Sequence, residues 1–204
     1  MIRMIGTIGQ ALAAVLLLAL AGTDVSAQDV IMNSAETINV GNVKLAFFPT
    51  ALLGKNGSGT DWGMAGRLGL GLTPRFDVEA KGAIFDGLNY YGGDAEVWLV
   101  RGRQVNVSIG GGAHLSDYEG SGDVFGVDAT LIVSTHAHRH LELYGGLKLA
   151  LESPDAGDNY TLAHLVPGLE YRVSRDLDFL AEIGLAVNDR SRSYASIGLA
   201  YYFR

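Results

Sequence analysis

The feature that most restricts the fold is an alternation of apolar side chains with glycine or polar ones along most of the chain. In residues 67–72 three leucines alternate with an arginine and two glycines, and the runs 105–109, 141–151 and 197–203 repeat this arrangement. Successive side chains of a β-strand point to opposite faces, so each run has one apolar and one polar face. The pattern therefore predicts a series of two-faced strands.

Residues 1–27 predict a cleaved secretory signal peptide. Arg3 supplies the basic start, residues 11–20 the apolar stretch, and Val25-Ser26-Ala27 a small-residue cleavage site. The alternative is an N-terminal membrane anchor. The apolar stretch is too short to cross about 30 Å of hydrocarbon comfortably, so cleavage is favoured.

Composition excludes several classes of function. The chain has 22 acidic and 15 basic residues, for a net charge of −7. Nucleic-acid binding needs a basic surface, so no nucleic-acid partner is expected. The chain has no cysteine, which excludes disulfides, thiol catalysis and thiolate metal sites. We also expect no resident cofactor.

After a short periplasmic N-terminal tail at 28–36, residues 37–204 contain ten candidate strands. They are predicted at 37–48, 61–72, 76–85, 94–101, 104–115, 124–135, 140–151, 161–172, 177–187 and 193–203. Short turns alternate with longer loops rich in turn-forming residues, which are predicted at 49–60, 86–93, 116–123, 152–160 and 188–192. Pro167 lies inside a strand pattern and predicts a bulge or kink.

These strands suit a membrane-spanning barrel. A tilted spanning strand needs about 9–11 residues, and most of the segments supply that length. Unpaired backbone groups are costly in hydrocarbon, so a spanning sheet must close on itself. We therefore predict an all-β fold, a closed antiparallel up-and-down transmembrane β-barrel of ten strands. Eight strands remain an alternative, because the third and fourth segments are short.

Closure would direct the polar face of each strand into the lumen, where it carries charges of both signs. The predicted lumen residues are Lys44, Arg67, Asp77, Glu79, Lys81, Glu96, Asp128, Glu142, Lys148, Glu170, Arg172, Asp178 and Glu182. Paired charges would fill the lumen, since charges that leave water need partners. Unpaired charges would line a narrow cation-preferring pore. Small barrels have interiors filled by side chains, so the filled lumen is favoured.

The leader, the alternating strands and the ending Ile197-Gly198-Leu199-Ala200-Tyr201-Tyr202-Phe203-Arg204 resemble the small Gram-negative outer-membrane barrels. That group includes the OmpA membrane domain, OmpX, OmpW and YfaZ-type proteins. The resemblance implies an integral outer-membrane protein with both termini in the periplasm. It also implies contact with outer-membrane lipid and lipopolysaccharide, and insertion by the barrel-assembly machinery. Members usually end on phenylalanine, whereas here Arg204 follows Phe203.

The resemblance identifies a class of protein rather than an activity. We expect a non-enzymatic role in envelope structure or interaction, with a narrow small-solute or cation channel as the first alternative. The second alternative is an outer-membrane lipid hydrolase. His114 and Ser116, with Glu119 nearby, resemble the His-x-Ser and distant Glu of the lipid A deacylase PagL. Their positions in the strand alternation direct the side chains of His114 and Ser116 to the lumen, whereas a lipid hydrolase needs a site that faces the membrane.

Two further constellations are weak candidates for metal binding. In an extended strand His136 and His138 would share a face and could bind Zn²⁺ or Cu²⁺. The flexible acidic stretch with Asp117, Glu119 and Asp123 could hold Ca²⁺ through oxygen ligands. A polar turn and an ordinary mobile loop are the simpler interpretations.

Charge also divides between the predicted turns and loops. Basic residues cluster at the turns, namely Arg75, Arg101, Arg103, Arg139, Arg172, Arg175 and Arg204. Acidic residues lie in or beside the loops, namely Asp86, Asp94, Asp117, Glu119, Asp123, Asp155 and Asp158. The basic turns could contact peptidoglycan or other periplasmic carboxylates. A solvated charge bias is the simpler interpretation.

Overall fold

The computed structural model describes residues 33–54, 59–120 and 122–204, so the predicted signal peptide and the first part of the predicted tail lie outside the described residues. Ten strands follow one another along the chain. They are β1 (Val43–Leu52), β2 (Asp61–Thr73), β3 (Phe76–Phe85), β4 (Leu88–Arg101), β5 (Asn106–Tyr118), β6 (Gly122–His138), β7 (Leu141–Pro154), β8 (Tyr160–Arg172), β9 (Leu177–Ala186) and β10 (Tyr194–Phe203).

The strands form one closed antiparallel barrel. Each strand pairs with its neighbours in sequence, and β1 pairs with β10 to close the sheet. The ten-strand prediction is therefore confirmed over the eight-strand alternative. Among the described residues, no helix is long and apolar enough to cross a membrane.

The two ends of the barrel carry different connections. We call one end the turn end, because it carries the β2–β3, β4–β5, β6–β7 and β8–β9 connections and both the beginning of β1 and the end of β10. The opposite end is the loop end. The predicted loop at 86–93 is wrong, since β4 begins at Leu88 and only Asp86 and Gly87 connect it to β3. Gly87 has a φ of 69°, the left-handed conformation that such a tight hairpin turn requires.

Side chains alternate between the two faces of the wall, as the sequence period predicts. On β1, Ala46 and Phe48 are completely buried inside the barrel, while Phe47 between them is 55% exposed on the outside. Large apolar side chains remain exposed on the outer face of every strand, including Ile84, Leu131 and Ile197. The barrel thus has an apolar outer surface and a closely packed interior.

The prediction of a bulge at Pro167 is wrong. Leu165 pairs with Leu185 and Gly168 with Glu182, which is one continuous register. Residues 166–167 lack partners on β9, whereas Pro167 still pairs with Gly145 on β7. The missing N–H of proline is accommodated by a gap in one ladder rather than by an extra residue.

The chain before β1 enters the barrel from the turn end, and we call residues 33–42 the N-terminal segment. Ser34, Ala35 and Ile38 are buried, and Val40 forms a parallel bridge with Gly71 on β2. A Cβ added to Gly71 would lie 2.2 Å from the carbonyl oxygen of Asn39. Glycine on β2 therefore provides the space in which the segment lies. Residues 33–36, which the sequence placed in a periplasmic tail, lie within the lumen.

Candidate functional site

The lumen brings together most of the charged residues predicted to face it. All of them are buried except Glu170, which is partly exposed, and Arg172, which is exposed. Arg172 is the last residue of β8, and its Nε lies 3.9 Å from Asp178 Oδ1 at the turn end. Lys44, Asp77, Glu142 and Asp178 are buried although each is the second residue of its strand at the turn end.

One part of the lumen charge is organised around Glu79 on β3. Lys44 Nζ lies 2.6 Å from Glu79 Oε1, and Arg67 Nε lies 3.2 Å from Glu79 Oε2. Arg67 continues to β4, where its Nη2 lies 2.7 Å from Asp94 Oδ2. Two cations therefore share one carboxylate, and one of them links it to a second carboxylate.

The same chain of contacts continues across the lumen through Lys81. Its Nζ lies 2.5 Å from Asp94 Oδ1 and 3.3 Å from Asp128 Oδ2. His114 follows, with Nδ1 3.2 Å from Asp128 Oδ2 and Nε2 2.9 Å from Glu152 Oε1. Lys148 Nζ lies 3.9 Å from the other oxygen of Asp128.

Together these contacts join strands β1 to β7 in one array of alternating charge. We call it the lumen network, and its members are Lys44, Arg67, Glu79, Lys81, Asp94, His114, Asp128, Lys148 and Glu152. Charges taken out of water are tolerated when each has partners, and such networks hold side chains in one arrangement. The interior is therefore a fixed polar core.

The part of the lumen beside β7 to β10 is filled by two tyrosines whose hydroxyl groups both contact Glu182. Tyr144 donates a 2.8 Å hydrogen bond to Glu182 Oε2, and Tyr194 donates a 2.7 Å bond to Glu182 Oε1. Each ring lies over a glycine on the adjacent strand, Gly168 and Gly184 respectively. These small residues leave room for large rings inside a narrow barrel.

The N-terminal segment completes the filling at the turn end. Asn33 Nδ2 donates to Glu96 Oε2 at 2.7 Å, and Asn33 Oδ1 accepts a 3.0 Å bond from Lys44 Nζ. The backbone N–H of Ile38 donates to Asp77 Oδ2 at 2.7 Å. The segment therefore supplies donors to two carboxylates of the wall.

Two cavities lined by described lumen residues are small. One of about 30 Å³ is lined by Asn33, Arg67 and Asp128, and another of about 70 Å³ lies between Glu36, Arg172 and Tyr202. Polar cavities of this size hold a few water molecules. Neither of these two cavities is a wide passage, and a larger one of about 260 Å³ lies at the loop end between Leu53, Asn188 and Ser193.

Sequence reasoning did not place Asp94, Glu152 or Asn33 in this interior. Asp94 was placed beside a loop as the first residue of the predicted strand at 94–101, although it shares its parity with Glu96. Glu152 was placed in a loop, whereas β7 continues to Pro154. No sequence pattern around Asn33 indicates that it lies in the lumen, because its position depends on where the N-terminal segment enters the barrel.

The candidate hydrolase residues do not form a catalytic arrangement. His114 and Ser116 both face the lumen and are buried, while Glu119 is exposed beyond the end of β5. Both ring nitrogens of His114 contact carboxylates of the lumen network, and Ser116 Oγ has no hydrogen-bond partner. Nothing in this geometry activates the serine hydroxyl.

The structure also regroups the candidate metal ligands. A register shift separates His136 from His138, and His136 lies with Glu36 and Glu142 instead. Burial raises the pKa of Glu36, and the Glu142 carboxylate raises it further, while His136 lowers it.

The acidic candidates for Ca²⁺ lie at the loop end. Asp117 and Asp123 lie opposite each other across the β5–β6 hairpin, and both are exposed. With Glu119 they make no close group of three ligands among the described residues.

No protein-family model matches the chain, and no curated protein matches it. Among solved structures, an outer-membrane channel from Pseudomonas putida F1 is 10% identical with a TM-score of 0.59, over 86% of this chain and 100% of that chain. The KdgM porin is 9% identical with a TM-score of 0.48, over 79% and 99%. The N-terminal β-barrel domain of Pseudomonas aeruginosa OprF is 15% identical with a TM-score of 0.41, over 81% and 100%.

At these identities the similarity shows the fold alone. It agrees with the closed barrel and places the chain among structures built like outer-membrane barrels. The closer resemblance to the OmpA, OmpX, OmpW and YfaZ-type group stays a prediction.

Proposed function

We propose that this protein is an integral barrel of the bacterial outer membrane with a closed lumen, and that it serves the envelope through its wall and its exposed ends. The observation that carries this proposal is the lumen network together with the N-terminal segment, which occupy the interior. A barrel filled in this way offers no wide path, so its function lies in structure or interaction.

The outer face supports the membrane location. Large apolar side chains are exposed on every strand, including Phe47, Leu68, Leu131 and Ile197. Monomeric soluble proteins rarely expose contiguous apolar patches larger than a few hundred Å². A spanning barrel instead presents such a surface to lipid. Outer-membrane lipid and lipopolysaccharide are accordingly the expected surroundings, with the barrel-assembly machinery as the partner for insertion.

Fractionation of cells that produce the full chain tests this location. We expect the protein in the outer-membrane fraction, extractable by detergent, with a gel mobility that changes on boiling because the folded barrel resists unfolding by the detergent. A protein recovered in the soluble periplasmic fraction would contradict the proposal.

A narrow cation channel is the second candidate function. The buried lumen carboxylates Asp77, Glu79, Glu96, Asp128, Glu142, Glu152, Asp178 and Glu182 outnumber the buried cations Lys44, Arg67, Lys81 and Lys148. An acidic interior favours cations over anions if a path opens. The channel would give resolved cation-selective steps in a planar bilayer, whereas the closed barrel would give none.

We propose no catalytic role. The lumen orientation of His114 and the unpartnered hydroxyl of Ser116 support this view, since a serine hydrolase needs its serine bonded to a base.

The exposed arginines of the turn end, such as Arg103 and Arg175, stay candidates for contact with peptidoglycan carboxylates.

A further inference from the structure

Three potential metal ligands from separate parts of the chain meet at the turn end of the lumen. Glu36 belongs to the N-terminal segment, His136 lies near the end of β6, and Glu142 near the start of β7. His136 Nε2 lies 3.6 Å from Glu36 Oε1 and 4.0 Å from Glu142 Oε2. The three donor atoms all lie within 4.8 Å of one another.

This spacing is close to that of an occupied metal site. Ligand atoms that bind Zn²⁺ tetrahedrally at about 2.0–2.2 Å lie about 3.3–3.6 Å apart. The two separations from His136 are at most about 0.7 Å longer than these values, and the two carboxylates lie within 4.8 Å of each other. The His136 side chain is 40% exposed, so solvent can reach the group and supply a fourth ligand.

Neighbouring side chains hold both carboxylates in position. Ser134 Oγ donates a 2.5 Å bond to Glu142 Oε1, which leaves Oε2 facing His136. Ser134 Oγ also accepts the N–H of Ala35 at 3.3 Å. Asn106 Nδ2 donates to Glu36 Oε1 at 3.1 Å. Outer-shell hydrogen bonds of this kind orient the ligands of metal sites.

The charge around the group favours a divalent cation. Glu142 pairs directly with Glu170 on β8, so a third carboxyl group lies beside Glu142. Arg101 and Arg172 act on Glu36 from the same end, and both are exposed. A single imidazole between two carboxylates leaves negative charge that these solvated arginines offset weakly.

We propose that Glu36, His136 and Glu142 bind one Zn²⁺ ion, which ties the N-terminal segment to the β6–β7 hairpin. Imidazole and carboxylate are ligands that suit zinc. The site would fix a segment that reaches the lumen with no strand pairing other than the bridge at Val40. This inference does not depend on the lumen being closed, since it concerns the end of the barrel.

Zinc binding can be measured directly on the full chain, purified without a polyhistidine tag, folded in detergent and treated with chelator. Isothermal titration with Zn²⁺ should show one ion per barrel. His136→Gln should weaken that binding at least tenfold. His138→Gln is the matched control and should leave it unchanged, because His138 lies outside the group. Boiling-dependent gel mobility would verify that each variant is folded.

A spin label tests the link to the segment. The chain has no cysteine, so Val40→Cys, at a position 55% exposed, accepts one label. Zn²⁺ should reduce the label's mobility in the parent and have no effect in the His136→Gln background. Absence of stoichiometric Zn²⁺ binding, or equal affinity of His136→Gln and the parent, would overturn the site. A label unaffected by bound Zn²⁺ would overturn the tether.

Discussion

Lys81 lies where charges from three strands meet, between Asp94 on β4 and Asp128 on β6. It is almost fully buried, and so is Asp128. Removal of one partner from a buried ion pair leaves an unpaired buried charge. That charge costs more free energy than the attraction within the pair contributes. Lys81 therefore links two carboxylates whose arrangement depends on its charge.

Replacing Lys81 by methionine keeps much of the volume and removes the charge. We expect Lys81→Met to lower the free energy of unfolding by about 3–5 kcal/mol, since Asp94 and Asp128 lose a shared cation. Urea unfolding of the barrel in lipid vesicles, followed by tryptophan fluorescence, measures the change. Arg103→Gln, which removes an exposed cation at the turn end, should change it by less than about 0.5 kcal/mol. Equal effects of the two substitutions would contradict a buried network.

At this scale, sequence parity predicts which charges share a face but not which of them touch. Lys44 and Glu79 were both assigned to the lumen, yet their 2.6 Å contact joins residues 35 positions apart in sequence. His114 was considered for catalysis, and its real partners are carboxylates on β6 and β7. Contacts across the lumen depend on barrel radius and register, which a single strand pattern does not contain.

At the scale of elements, β2 and the N-terminal segment form an unusually close contact. Gly69 and Gly71 face inwards, and a Cβ on Gly69 would lie 2.4 Å from Ile38 Cδ1. At Gly71 the obstacle is backbone, which cannot move aside as a side chain can. Glycine at these positions weakens a strand locally but lets another stretch of chain approach closely.

Gly71→Ala should displace the segment from its groove. We expect a loss of about 1–3 kcal/mol in unfolding free energy, as for other overpacked sites. A label at Val40→Cys should also become more mobile. Gly66→Ala is the matched control on the same strand, because its Cβ would meet its nearest atom at an ordinary 3.5 Å. An immobile label in Gly71→Ala would show that the segment does not need this space.

Element boundaries show where sequence reasoning was sufficient. The strand at 76–85 was predicted with the observed bounds, since strong alternation ends at clear turn residues on both sides. The loop at 86–93 failed because Asn89, Gly92 and Gly93 favour turns locally, yet they pair along β3. Sheet closure supplies partners on both sides of each strand, and this overrides weak local preferences.

For the whole molecule, closure follows from the same period of two that is visible in the sequence. Ten antiparallel strands give an interior narrow enough to be filled by side chains. The lumen is filled by the lumen network, by the tyrosines around Glu182 and by the N-terminal segment. Strand parity indicates the first two but not the segment. The central claim is that together they close the lumen of a membrane-spanning barrel.

Planar-bilayer recording tests that claim most directly. Purified barrel, shown to be folded by its boiling-dependent gel mobility, would be inserted from detergent under a salt gradient. We predict a silent membrane with no resolved current steps, while a known porin handled identically gives steps and verifies insertion. Steady unitary steps that change in size or cation preference with Lys81→Met would contradict a closed lumen and establish the narrow channel instead.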